Sequence, residues 1–121
     1  MKVIIDLIED IRESISNAEE YTVTAGLLKA DPDDVNRLVY AGEAPLNRWH
    51  LDDVRRELIF EMDGSDARVT VGALIPPLLI ADMDVMMYVL KMDVNAQYRN
   101  MEIVGFGKNE EMKQYLLFIK I

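Results

Sequence analysis

The chain has 121 residues, of which 50% are hydrophobic and 29% charged, which is ordinary for one globular domain and excludes a disordered chain. It has no cysteine, which excludes disulfides, thiolate metal sites and cysteine nucleophiles. Its net charge of -9 disfavours binding to the phosphates of duplex nucleic acid. We therefore expect a single domain over residues 1–121 that does not bind nucleic acid.

The first predicted element is an amphipathic helix over residues 3–20. Its isoleucines recur at spacings of four, three and four residues, which places them on one face of a helix: Ile4, Ile8, Ile11 and Ile15. Acidic residues occupy the opposite face. We expect the isoleucine stripe to be buried, either against a sheet or against a partner chain.

Two further helices are predicted before residue 57. The segment Asp31-Pro32-Asp33-Asp34 has the residues typical of a helix start, and Gly42 is a natural stop, so a second helix is expected over 32–41. A short third helix is expected within 46–56, although strand pairing could also begin at Val54. Residues 1–56 are therefore expected to be mainly helical.

Residues 57–121 are expected to be mainly strands. Alternation with period two predicts strands at 57–62 and 69–71, which form a hairpin around the turn residues 63–66. Pro76-Pro77 is expected to end the second strand. Strands are also predicted at 101–106 and 114–121.

Residues 76–94 leave two alternatives open. The segment Val85–Met92 is apolar on both faces, which favours a central strand, but a helix opened by Pro76-Pro77 fits as well. We predict a methionine cluster to be core, with an adaptable binding surface as the alternative; its members are Met83, Met86, Met87 and Met92. The predicted fold class is α+β, with two or three N-terminal helices packed on one antiparallel sheet of four to five strands.

The clearest candidate for a partner surface is the only basic cluster, which contains the single tryptophan. Arginine and tryptophan are typical interface anchors. The predicted binding residues are Arg48, Trp49, His50, Arg55 and Arg56. Local ion pairs with the neighbouring acids are the structural alternative for the arginines.

Two patterns could support chemistry. His50, the only histidine, has Asp52 and Asp53 close by, and a general base must titrate near neutral pH. Asp82 and Asp84, if on a strand, could share a hard cation such as Mg²⁺. Both patterns are short and frequent, so we expect no catalytic residue, no metal and no cofactor.

The sequence therefore predicts a non-enzymatic, acidic protein-binding module of the chaperone, inhibitor, immunity or adaptor type, with a basic partner. The alternative is a small enzyme or ligand-binding domain that uses His50 with nearby acids, or an Asp82/Asp84 metal site. The longest apolar run, Ala73 to Ala81, contains two prolines and is too short to span a bilayer. The first residues lack signal-peptide features, so a cytoplasmic location and no membrane association are expected.

Self-association as a homodimer is also predicted. The segment 114–121 is apolar on both faces, and a strand of this kind at a sheet edge invites pairing with another copy. The isoleucine stripe of the first helix offers a second route, through helix–helix packing.

Overall fold

The computed structural model describes residues 1–121 and contains two α-helices and seven strands. The helices are α1 (Ile4–Ser14) and α2 (Val71–Leu79), and two short 3-10 helices span Ala18–Glu20 and Met83–Met87. The strands are β1 (Thr22–Asp31), β2 (Asp34–Pro45), β3 (Arg48–Asp52), β4 (Glu57–Glu61), β5 (Val89–Asp93), β6 (Met101–Asn109) and β7 (Gln114–Lys120).

All seven strands form one mixed sheet in the order β2-β1-β7-β6-β5-β4-β3. The pairs β1–β7 and β4–β5 are parallel, and the other four pairs are antiparallel. The chain returns from β4 to the parallel β5 through α2 and the Met83–Met87 helix. The predicted antiparallel sheet of four to five strands is therefore wrong in both strand number and direction.

The sheet is strongly curled, because its two edge strands follow each other in the chain. Only Leu46 and Asn47 separate β2 from β3. In a flat sheet, strands spaced ~4.8 Å apart would put the two edges ~29 Å from each other. A two-residue connection spans at most ~10 Å. The sheet must bend until its edges meet at this corner, and its concave face then encloses the core.

Helix α1 fills that concave face. Ile4, Ile8, Ile11 and Ile15 are all buried, as the sequence predicted. The helix begins after Val3, whose backbone N–H donates to the Asp6 side chain at 2.9 Å. It ends at Ser14, whose carbonyl accepts a 2.7 Å hydrogen bond from the Lys108 ammonium. The stripe is therefore used within the molecule, and the helix is shorter than the predicted 3–20.

The predicted helix over 32–41 is wrong: this segment is the turn and first half of the hairpin strand β2. Asp31 accepts a hydrogen bond from the Asp33 N–H at 2.9 Å, and Asp34 accepts one from the Asn36 N–H at 3.1 Å. Aspartates that cap helices also close turns in this way. The following Val35, Leu38, Val39 and Tyr40 favour an extended chain.

The strand predicted at 57–62 is confirmed as β4, but the third helix predicted within 46–56 and the hairpin between 57–62 and 69–71 are wrong. Residues 48–52 form β3, which pairs with β4 along its whole length. Residues 69–71 make only a single bridge, between Thr22 and Thr70, before α2 begins. Residues 1–56 thus contain α1, one 3-10 turn and three strands rather than mainly helix.

The ambiguous segment 76–94 contains both helix and strand. Pro76 and Pro77 lie inside α2, and residues 89–93 form β5. The strands predicted at 101–106 and 114–121 are confirmed as β6 and β7. However, β7 lies at the centre of the sheet between β1 and β6, so it offers no free edge. Neither helix is long and apolar enough to cross a membrane.

Candidate functional site

A group of exposed apolar side chains lies at the end of α2 and in the Met83–Met87 helix. Leu79, Ile80, Met83 and Met87 are 53%, 87%, 87% and 61% exposed. We call these four residues the apolar surface. Ordinary apolar residues of a core-forming segment would be covered, so this exposure calls for a functional explanation.

The local sequence explains why α2 leaves these side chains in solvent. The helix starts at Thr70, whose hydroxyl oxygen accepts a 3.1 Å hydrogen bond from the Ala73 N–H. Its core-facing residues, Val71, Leu74 and Leu78, follow helical spacing and are buried. Nearly every other residue of α2 is apolar too, so the helix has more apolar side chains than one buried face can hold.

Two carboxylates accompany the apolar surface. Asp82 precedes the Met83–Met87 helix and Asp84 lies within it, and both are exposed without an ion-pair partner. They do not lie on a strand, as the metal hypothesis required. No group of three metal-ligating side chains occurs there or elsewhere in the structure. The pair is therefore an acidic rim beside an apolar surface.

A second feature lies on the outer, convex face of β3, β4 and β5. It is a polar cleft of about 490 Å³ whose only hydrophobic lining residue is Ile59. We call it the charged cleft. Its other lining residues are His50, Asp52, Arg55, Glu61, Asp93, Arg99 and Asn100.

Glu61 organises one wall of the charged cleft. Its Oε1 lies 2.7 Å from Nδ1 of His50, and its Oε2 accepts a 2.6 Å hydrogen bond from Nε of Arg48. The strand register makes this possible, because Arg48 pairs directly with Glu61 across β3 and β4. Asp93 joins them because the parallel register of β4 and β5 places it beside Glu61.

The structure brings together three of the five predicted binding residues. His50 and Arg55 line the charged cleft, and Arg48 reaches it through Glu61. Trp49 alternates to the opposite face of β3 and packs against the core. Arg56 stacks on the Tyr88 ring at 5.7 Å. Of the local ion pairs that were the structural alternative, Arg55 forms one with Asp52, at 4.0 Å, whereas Arg48 pairs across strands with Glu61.

Tyr88 illustrates how the turn after β3 is fixed. Its hydroxyl donates a 2.7 Å hydrogen bond to Asp53, and this bond raises the pKa of the phenol above its ordinary value. Of the two aspartates suggested as partners of His50, only Asp52 lines the same cleft.

Sequence reasoning missed Asp93, Arg99 and Asn100 in the cleft, and Leu79 and Ile80 on the apolar surface. Asp93 ends β5, and Arg99 and Asn100 follow it; all three come close to His50 only through the order of the strands, which no local pattern reveals. The apolar surface did have a signal: residues 73–81 contain no polar side chain at all.

No protein-family model, curated protein or solved structure matches this chain.

Proposed function

We propose that the protein is a non-enzymatic protein-binding module that docks its partner on the apolar surface. The observation that carries this proposal is the joint exposure of Leu79, Ile80, Met83 and Met87 within nine residues of chain. Clustered apolar side chains in solvent are typical of interaction sites. Burying these side chains in a complex would remove their apolar surface from water, which favours binding.

The side-chain types suit an adaptable interface. Met83 and Met87 are unbranched and flexible, so they can fit an irregular partner surface. The two other methionines of the cluster have different surroundings: Met92 is buried, and Met86 packs against the core. The methionine cluster is thus divided: two members pack in or against the core, and two are exposed on the apolar surface.

The partner we infer has an apolar groove with lysine or arginine at its rim. Asp82 and Asp84 have no ion-pair partner within the chain, and the chain as a whole carries a charge of -9. Opposite charge on the partner would speed association and select against acidic proteins. A second copy of this chain is a poorer partner. A two-fold axis would bring Asp82 and Asp84 of one copy towards the same aspartates of the other, and like charges repel.

The predicted homodimer stays a prediction, although both of its sequence grounds are removed by the central position of β7 and the burial of the α1 stripe. The strands at the edges of the sheet are β2 and β3 instead. Sedimentation at micromolar concentration tests the homodimer, and a single 13.9 kDa species across a concentration series would contradict it.

We also propose a cytoplasmic location, which the absence of cysteine allows.

The docking proposal is tested by affinity capture from the native host, with three forms of the chain as bait. The double variant Ile80→Ser/Met83→Ser should lose a stoichiometric partner that the wild-type chain retains. The control Val54→Ser/Met112→Ser changes two residues that are 95% and 64% exposed elsewhere, and it should retain the partner. The recovered partner should carry a basic surface, and its association with the chain should slow as salt is added.

Two results would contradict the proposal. One is a wild-type bait that captures no stoichiometric protein. The other is a partner that binds the Ile80→Ser/Met83→Ser variant as tightly as the wild type in a purified two-component titration. All four substituted side chains are exposed, so each variant should fold with near wild-type stability.

A further inference from the structure

We propose that the charged cleft binds the phosphate group of a small phosphorylated molecule, held by Arg55, Arg99 and His50. This inference is independent of the apolar surface, which is formed by other residues. It rests on which hydrogen-bonding groups of the cleft are already used within the protein and which remain free.

The carboxylates of the cleft are already engaged. Both oxygens of Glu61 have close contacts, with His50 and Arg48. Asp93 Oδ1 accepts a 2.6 Å hydrogen bond from the Asn100 N–H. Asp52 Oδ1 accepts the N–H groups of Val54 and Arg55 at 3.1 and 3.0 Å. These hydrogen bonds fix the carboxylates in the walls of the cleft, and the second oxygens of Asp52 and Asp93 each face an arginine at 4.0 Å.

The cleft also contains hydrogen-bond donors that are not used within the protein. The guanidinium groups of Arg55 and Arg99 make no hydrogen bond, and their nearest carboxylate contacts are both 4.0 Å long. Each guanidinium has five N–H donors in a planar fork that matches phosphate oxygens. His50 uses Nδ1 on Glu61, so its Nε2 remains free to share a proton with a phosphate oxygen.

The donors come from three separate parts of the chain. His50 lies on β3, Arg55 in the turn after β3, and Arg99 in the loop after β5. Donors arranged around a cleft suit a tetrahedral oxyanion, whereas a planar carboxylate presents only two oxygens along one edge. The volume of about 490 Å³ lies within the range of small-molecule sites, so it has room for an organic group beside the phosphate.

The chain's overall charge does not prevent this binding. The Debye length is ~8 Å at physiological ionic strength, so exposed acids farther away are largely screened. Around the cleft, the three arginines Arg48, Arg55 and Arg99 offset the three lining carboxylates of Asp52, Glu61 and Asp93, so the local formal charge is close to zero. Arg48 is held by Glu61 and Asp63, which leaves the other two for the ligand.

His50 provides the measurement, because a single histidine gives one Hε1 resonance in a proton NMR spectrum. The probes are ribose 5-phosphate, inorganic phosphate and ribose, added at fixed pH with sodium chloride adjusted to constant ionic strength. We expect a saturable shift of the His50 resonance with ribose 5-phosphate, a weaker one with inorganic phosphate, and none with ribose.

Arg99→Gln should weaken the affinity for ribose 5-phosphate about tenfold or more, since it removes charge-assisted hydrogen bonds. Arg37→Gln is the matched control, because Arg37 is equally exposed and also lies 4.0 Å from a carboxylate, on β2. It should change the affinity less than twofold. The proposal is overturned by a response that does not saturate, by wild-type affinity in Arg99→Gln, or by inorganic phosphate that binds as tightly as the ester.

Discussion

The side-chain oxygen of Asn47 accepts a 2.8 Å hydrogen bond from the backbone N–H of Asp63. Asn47 sits at the corner where the chain passes from one edge of the sheet to the other, and it is buried. Its amide nitrogen donates to the carbonyls of Ser65 and Ala67 at 3.1 and 2.9 Å. One side chain thus fixes the loop after β4 to the point where the sheet closes.

Replacing Asn47 should therefore lower the stability of the fold more than replacing most polar residues would. Asn47→Ala removes the hydrogen bonds to the Asp63 N–H and to the carbonyls of Ser65 and Ala67, and at roughly 1 kcal/mol each we expect a loss of about 3 kcal/mol in the free energy of unfolding. Asn47→Asp keeps the shape but turns a carboxylate towards two carbonyl oxygens, so it should be at least as destabilising at neutral pH. Urea unfolding measures both, and a loss below ~0.5 kcal/mol, typical of surface changes, would contradict this role.

Gly26 is required by the ring of Phe118 on the convex face of the sheet. A Cβ atom at Gly26 would lie 2.5 Å from Cδ1 and Cε1 of this ring, and the other side of the ring lies similarly close above Gly107. We expect Gly26→Ala to destabilise the protein by about 1–3 kcal/mol through overpacking. In a Phe118→Ala background the same change should cost much less.

Gly105→Ala is the control for that experiment. A Cβ atom at Gly105 would lie 3.8 Å from Phe118, which is ordinary contact. Thermal or urea unfolding should show that this variant is much closer to wild type than Gly26→Ala. Equal losses for the two variants, or a Gly26→Ala loss that persists without the Phe118 ring, would show that the steric account is wrong.

Ile11 represents the buried face of α1, and it is 4% exposed. Ile11→Ala should lower the free energy of unfolding by about 2–5 kcal/mol, because it removes packed methylene groups and leaves a cavity. Val35→Ala, at a residue that is 77% exposed, should stay within ~0.5 kcal/mol of wild type. An Ile11→Ala loss as small as that of the control would mean that the helix does not pack as described.

The pH dependence of stability should reflect Tyr115. Burial, aided by its 2.6 Å hydrogen bond to Asp10, raises the pKa of this phenol far above the ordinary value of 10.0. Above pH 10 the unfolded chain releases this proton and the folded chain keeps it. The stabilisation is therefore complete below pH 10 and is lost as pH rises, by up to about 1.4 kcal/mol per pH unit.

Tyr115→Phe is the variant that isolates this effect. It should be less stable at neutral pH because the hydrogen bond to Asp10 is lost, and its stability should fall less steeply above pH 10. Tyr88 and Tyr40 also have raised pKa values, so part of the slope should remain. Identical slopes for Tyr115→Phe and wild type in alkaline urea titrations would exclude Tyr115 as the cause.

The elements that the sequence predicted correctly are those whose periodicity was unambiguous. The isoleucine spacing identified the buried face of α1, and the alternation at 57–62 identified β4. The helix over 32–41 failed because Asp-Pro-Asp is both a helix start and a turn. In this chain, pairing with β1 favours the turn and the strand over the helix. That pairing cannot be read from the local sequence alone.

The candidate sites depended even more on long-range order. The basic cluster at 48–56 was a useful signal, since it contains His50 and Arg55 of the charged cleft. Strand alternation then separated Trp49 from its neighbours, which a helical interpretation could not anticipate. Arg99 joined the cleft only through the parallel pairing of β4 and β5. Local sequence thus indicated three of the eight residues that line the cleft, and strand order supplied the other five.

Methionine oxidation of the isolated complex, measured by mass spectrometry after brief exposure to hydrogen peroxide, tests the central claim most directly. Met83, Met87 and Met112 are exposed in the free chain, so each should oxidise readily there. In the complex, Met83 and Met87 should be protected while Met112 remains reactive, because only the first two belong to the apolar surface. Unchanged oxidation of Met83 and Met87 in a saturated complex would contradict docking at this surface.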